Sequence, residues 1–184
     1  MKKILVVSCT ARREQDKKDL KIYQSLEYMT DEVKQKIHFE NKKGLPEIYN
    51  QYINHNTLKK HDIVLFVHDD VYIDDYKLRG KLYAATNAYD IIGLAGALQP
   101  AIKSPALWHL MAPRENWRGY VAHSIADSPG TVHMTSFGPT PSRVAIADGV
   151  FLAVNLKRAI GTDWKFNEDY RYHHYDIARD RKSV

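Results

Sequence analysis

The sequence predicts an α/β protein with a mostly parallel sheet and helices on both faces. Three observations carry this. Short, wholly apolar runs, "ILVVS" at 4–8 and "IVLFV" at 63–67, suit strands buried on both sides. Between them apolar residues recur every three or four positions, the period of helices that pack by one face. Strand-like and helix-like stretches then alternate through residue 96, as in a sheet whose neighbouring strands are joined by helical crossovers.

Taken in order, "ILVVS" is the first strand. The lysines ahead of it give a superficial likeness to a secretory leader. The apolar run is too short for one, however, and Arg12-Arg13-Glu14 stands where a small-residue cleavage site would be. From Asp16 to about Lys36, the residues Ile22, Leu26, Met29 and Val33 form a helical stripe, and "IHF" at 37–39 alternates as a short strand. Gly44 ends that strand, and Leu45, Ile48, Tyr49, Tyr52 and Ile53 make a second helical face. "IVLFV", a helix around 75–88 and a strand in "DIIGLAG" at 90–96 complete the alternation. Residues 97–143 then hold six of the seven prolines and little helical period, which predicts loops and short antiparallel strands carrying Trp108 and Trp117. "VAIADGVFLAVN" at 144–155 restores a strand that breaks at Asp148-Gly149.

With 184 residues the chain fits a single domain, 1–184, divided by texture at about residue 96. Apolar content of 44% with 12 tyrosines excludes a disordered chain. Apolar runs of at most five or six residues leave no integral membrane segment. A single cysteine, Cys9, excludes an internal disulfide and suits a reducing, cytoplasmic setting. It reads as a small buried residue rather than a nucleophile, with no histidine close in sequence. The net charge of +5 lies wholly in residues 1–60, where 13 Lys and Arg face 8 Asp and Glu; residues 61–184 hold 14 of each. Such an excess attracts phosphates, of a nucleotide or of a nucleic acid, although pairs such as Lys17-Lys18 and Lys42-Lys43 equally suit solvated helix surfaces.

Ligands of open α/β sheets bind outside the carboxyl ends of the strands. Three polar clusters fall there: Ser8-Cys9-Thr10, Asn41, and His68-Asp69-Asp70. Adjacent carboxylates at such a place suit Mg²⁺ or Mn²⁺ held jointly with substrate phosphates. A turn or a helix cap explains the same pair without a ligand. There is no P-loop and no GxGxxG, so neither a P-loop triphosphatase nor a dinucleotide enzyme is favoured.

"LPEIYNQYINHNTLKKHDIVLFVHDDVYI" resembles the segment of family-2-like glycosyltransferases in which a helix bearing Tyr-Asn precedes a strand ending in an Asp-x-Asp-type motif. It is most similar to the bacterial and phage subgroup whose strand ends in His-Asp/Gln-Asp-Val. Downstream, "ADGVFLAVN" and "WKFNEDYRYHHYDIARD" resemble that subgroup's Asp-Gly-x-Phe strand and its Phe-Asp-Glu…Phe-His-x-Tyr-Asp stretch. The resemblance covers nearly the whole chain and is weakest across 97–140. It implies a GT-A fold, with a Rossmann-like nucleotide-binding half (1–96) and an acceptor and catalytic half (97–184). It further implies a nucleoside-diphosphate sugar donor, a divalent cation (Mn²⁺ or Mg²⁺) and a hydroxyl acceptor.

Carried over residue by residue, the resemblance makes Asp70 the metal ligand and Asp69 a contact to sugar or ribose. His68 stands where many relatives have the first aspartate. Ser8, Thr10 and Arg12 would lie under the nucleotide, with Asn50 near its base or ribose. Asp176 aligns with the general base of inverting members, and His173 or His174 would complete the metal shell; Arg171 or Arg179 would help hold the leaving group. Two departures stand out: Tyr175 replaces a glutamate, and Ala178 stands where relatives often have an aspartate. The chain ends eight residues after Asp176, ahead of the acceptor elements of longer members.

The expectation is therefore an inverting hexosyl- or pentosyltransferase acting on a glycan or other hydroxyl acceptor. Nucleic acid is one possible acceptor, as for phage enzymes that glycosylate DNA bases. The alternatives are a degenerate nucleotide- or glycan-binding protein of the same fold and a metal-dependent phosphoesterase. The last is disfavoured because two-metal hydrolases gather more carboxylates and histidines than His68-Asp69-Asp70 provides.

Overall fold

The two apolar runs of the sequence, β1 (Ile4–Cys9) and β3 (Ile63–Val67), pair in parallel inside a five-stranded sheet. A computed structural model of the chain describes residues 1–99, 109, 112–125 and 130–171. These fall into two compact units: Met1–Ile92 with the stretch from Gly149 on, and Gly93–Asp148 between them in sequence. The fold is mixed α/β with two sheets, and the first sheet is only partly parallel.

In the first unit β2 (Val33–His38) pairs in parallel with β1, in the register Ile4↔Val33 to Cys9↔His38. On the other side of β3 lies β9 (Phe151–Asn155), which runs antiparallel to it, and β4 (Ile91–Gly93) closes the order β2-β1-β3-β9-β4. Alternate residues of β1 and β3 serve two cores, because successive side chains of a strand point to opposite faces. Ile4, Val6, Ile63, Leu65 and Val67 pack with Ile22 and Leu26 of α1 (Lys21–Leu26) and Leu78 and Leu82 of α4 (Leu78–Thr86). Phe66, on the opposite face, stacks on Tyr49 of α2 (Leu45–Tyr49) with centroids 4.4 Å apart, and meets Phe166 edge-on at 5.4 Å. The other helices are α3 (His55–Lys60), capped by the Asn54 side chain, and α5 (Leu156–Gly161), capped by that of Asn155. Among the described residues no helix is long and apolar enough to cross a membrane.

Three departures from the sequence reading have physical causes. The helix expected to run to Lys36 stops at a turn in which the Glu32 N–H donates to Met29 O, and Val33–His38 is strand instead. Val33 and Ile37 alternate there with exposed Lys34 and Lys36, and pairing with β1 outweighs a local period that would also suit a helix. The "DIIGLAG" strand divides at Leu94 into β4 and β5 (Ala95–Ala97), which belong to different sheets. The sheet expected to be mostly parallel contains β9 reversed, because the chain leaves β4, forms the second unit and returns beside β3 from its carboxyl end.

The second unit is an antiparallel sheet, β7-β6-β5-β8, built from β5, β6 (Trp117–Ser124), β7 (Val132–Gly138) and β8 (Ile146–Ala147). Gly119, with φ of +112°, sits at the irregularity of the β6–β7 ladder, where a Cβ would come within 2.0 Å of Leu94 O. Trp117 donates its indole N–H to Ala112 O and packs edge-on against Phe137, so its ring belongs to this unit's interior packing. Trp108 lies outside the described residues.

Phe66 is fully buried and touches two further rings. Phe66→Ala should therefore lower stability by about 3–5 kcal/mol, read as a shift in the denaturant midpoint. Tyr28→Ala, at a position 87% exposed, should stay within about 0.5 kcal/mol of the parent.

Candidate functional site

The path of the chain selects one place on the first sheet. From β1 it moves to β2 on one side, then returns to β3 on the other side of β1. The connections leaving β1 and β3 therefore depart in opposite directions, and a crevice opens between them at the carboxyl ends of the strands. Ligands of open α/β sheets collect at such a reversal. The loops at its mouth are Thr10–Arg13 after β1 and His68–Val71 after β3.

Hydrogen bonds fix both loops. The Thr10 N–H donates to His38 O at 2.9 Å and the Asn41 N–H to Thr10 O at 2.9 Å, which ties the tails of β1 and β2 together. Thr10 Oγ1 accepts from the Arg12 N–H at 3.1 Å, and Arg12 O accepts from the Glu40 N–H at 2.9 Å. After β3, His68 O accepts from the Val71 N–H at 3.4 Å, so His68-Asp69-Asp70-Val71 is a turn. The His68 N–H donates to Val150 O, and Asp69 O accepts from the Ile22 N–H of α1 at 3.3 Å. The aspartate turn is thus pinned to β9 on one side and to the helix after the β1 loop on the other.

Asp69 is half-buried and Asp70 exposed, and neither carboxylate has a hydrogen bond or ion pair among the described residues. The same holds for the exposed Arg12 guanidinium. Ser8 is buried on the α1 side of β1, and its Oγ has no hydrogen-bond partner, a hydroxyl left over just below the loop. Cys9, one residue on, has its thiol pushed up to about 12 by burial and then by the Asp69 carboxylate, which places that carboxylate beside the end of β1. At neutral pH Cys9 is a thiol and a poor nucleophile.

Ser8, Thr10, Arg12, Asp69 and Asp70 are therefore gathered at one crevice. Asn50 is buried and fully engaged elsewhere. Its Nδ2 donates to Phe166 O at 2.9 Å and to Glu168 Oε1 at 2.8 Å, and its Oδ1 accepts from the Phe166 N–H at 2.9 Å. It clamps the Phe166–Glu168 stretch to the 3₁₀ turn that follows α2. His173, His174 and Asp176 lie outside the described residues, as do Tyr175, Ala178 and Arg179. The described chain reaches Arg171 at the β2–α2 connection: Arg171 O accepts from the Leu45 N–H at 2.7 Å, and its guanidinium donates to Lys42 O at 3.1 Å. Gly44 permits this approach, since a Cβ there would sit 3.1 Å from Arg171 Cα. Asp148, the last residue of the second unit, donates its N–H to Ala95 O at 2.8 Å.

One titratable pair of the first unit escaped the sequence reading. His38 Nε2 and the Tyr52 hydroxyl share a 2.7 Å hydrogen bond beside Cys9. Burial, then Lys36, holds His38 below its usual value, while burial, then Cys9, raises Tyr52. Both groups are therefore neutral near pH 7. Strand pairing over 33–38, which sets His38 opposite Cys9, was the signal that could have found them.

Among the described residues no three His, Cys, Asp or Glu side chains are grouped to hold a metal ion. Two partnerless carboxylates in an exposed turn nevertheless match the donor set by which Mg²⁺ is usually shared with substrate phosphates. Comparison with protein-family models and with curated proteins finds no match for the chain.

A pH dependence follows from His38. In the unfolded chain it titrates at its ordinary 6.5, and in the folded chain lower. Acidification below 6.5 therefore protonates the unfolded form first and draws the equilibrium towards it, with the loss levelling off below the folded value. His38→Gln should flatten this part of the stability curve between neutral pH and about pH 5, as followed by thermal melts against the parent.

Proposed function

We propose that the chain is a metal-dependent glycosyltransferase of the GT-A kind, transferring a sugar from a nucleoside-diphosphate sugar to a hydroxyl acceptor with inversion. The observation that carries this reading is the aspartate turn at the β1/β3 reversal. Its two adjacent carboxylates have no cationic partner among the described residues, and the turn lies next to the carboxyl end of β1, which bears Ser8, Thr10 and Arg12. The resemblance of "IVLFVHDDV" and of the downstream stretches to family-2-like glycosyltransferases points to the same donor class.

On this reading Asp70 holds the divalent cation, Mn²⁺ or Mg²⁺, and Asp69 orients the sugar or ribose. When bound, the ion neutralises the charge that develops on the departing diphosphate. Arg12, free of any ion pair among the described residues, adds a fixed positive charge at the crevice mouth. The Ser8 hydroxyl and the backbone of the Thr10 loop line the floor. Asn50, through its clamp on Phe166 and Glu168, positions the start of the segment that leads to His173, His174 and Asp176. Asp176 takes the acceptor proton as the hydroxyl attacks the anomeric carbon from the side opposite the diphosphate.

Nucleotide binding is tested by thermal shift with UDP-, GDP-, CMP- and dTDP-linked sugars, each with and without Mn²⁺. A true donor at about 100 times its Kd should stabilise the protein by about 2.7 kcal/mol, and only with metal. Asp70→Ala should abolish that shift while leaving the metal-free protein at least as stable, since a carboxylate repelling its neighbour has gone. Unchanged metal dependence in the variant would sink the assignment.

Turnover is tested separately. Asp176→Asn should reduce transfer by roughly 10² to 10⁴ with donor binding nearly intact. Equal losses in binding and turnover would make Asp176 a structural or metal-binding residue instead.

A further inference from the structure

The first unit carries a second recess, about 560 Å³ in volume, towards the amino ends of β1 and β3. β1 is six residues long, and at about 3.3 Å per residue this places the recess near the end of the sheet opposite the aspartate turn. Leu5 and Tyr52 line it. It is rich in lysine: Lys34 and Lys36 from the edge strand β2, Lys60 from the end of α3, and Lys2 and Lys3 ahead of β1.

These cations are not equivalent. Lys2 is bridged to Asp62 at 2.9 Å, and Lys3 donates to Thr30 O at 2.6 Å, so both are engaged by the fold. Lys34, Lys36 and Lys60 are exposed and have no ion pair or hydrogen bond among the described residues. Among the described residues no aspartate or glutamate lines the recess. Lysines alone on an edge strand are a common guard against edge-to-edge pairing. That role explains neither the convergence of Lys60 from another element nor the presence of an aromatic residue, Tyr52, in the same recess.

We propose that this recess binds the phosphodiester backbone of single-stranded nucleic acid. The three free ammonium groups meet phosphate oxygens, and the Tyr52 ring offers a face on which a base rests. A cationic groove with an aromatic platform is how sequence-tolerant single-strand sites are built. The lysines concerned differ from most of the pairs prominent in the sequence: Lys43 is bound to Glu47, and Lys17 lies over the Tyr23 ring. The inference does not depend on the proposed sugar transfer, and its variants lie outside the residues assigned to it.

The test is fluorescence anisotropy with a labelled single-stranded oligonucleotide of about twelve nucleotides, over about 50 to 200 mM salt. Three neutralised phosphates predict a slope of log K against log salt of about −2. Lys34→Glu with Lys36→Glu should remove at least about one unit of that slope, while the melting temperature and any metal-dependent nucleotide shift stay unchanged. Tyr52→Leu should weaken single-strand binding by roughly tenfold or more and leave weak duplex binding as it was. An unaltered slope in the double variant, no binding by the parent protein at low salt, or equally tight binding of duplex of the same sequence would each overturn the proposal.

Discussion

β1 is held on both sides by parallel partners, β2 and β3, and the candidate site depends on that arrangement. Five of its six residues are buried, so it can lie only in the middle of a sheet covered on both faces. Once it lies there, the chain has to leave in one direction to reach β2 and come back in the other to reach β3. The loops at the carboxyl ends separate, and the space between them becomes the one place where polar groups from both strands meet without further backbone filling it. Ser8, Thr10 and Arg12 arrive from one side, and His68, Asp69 and Asp70 from the other.

The electrostatics of that space are unbalanced in a consistent way. Two neighbouring carboxylates stay without a counter-charge among the described residues, and the field of Asp69 adds to burial in keeping the Cys9 thiol protonated. A fold under pressure only for stability would gain by removing one of them or by supplying a lysine. Retaining both, in a turn anchored through its backbone to β9 and α1, keeps their geometry independent of any bound charge. A divalent ion shared with a diphosphate would find its ligands already placed. The opposite end of the same sheet is biased the other way, with free lysines around the recess below Tyr52.

Much of the first unit could be read directly from the sequence. "ILVVS" and "IVLFV" admit few states other than strands buried on both faces, and the aspartates following the second run stand out as a candidate site from the sequence alone. What could not be read depended on pairing across the chain. Val33–His38 carries apolar positions that fit either a helix or a strand, and only β1 alongside decides between them. The reversal of β9 and the division of 90–97 between two sheets follow from where the chain returns after the second unit, which no local pattern encodes. Asn50 looked like a ligand-contacting residue from its place after a Tyr. Its internal hydrogen bonds to Phe166 and Glu168, 116 and 118 residues away, could be seen only in three dimensions.

The most direct test of the central claim is where a divalent ion and a nucleotide sit. Mn²⁺ is paramagnetic and broadens amide resonances close to it, so an assigned amide spectrum titrated with Mn²⁺ in the presence of a nucleoside-diphosphate sugar locates the ion on the chain. The account predicts broadening strongest at Ser8 to Arg12 and at His68 to Val71, lost in Asp70→Ala, and falling off towards the amino ends of β1 and β2. Broadening centred on any other part of the first unit, or broadening at the aspartate turn that is indifferent to the nucleotide, would contradict it.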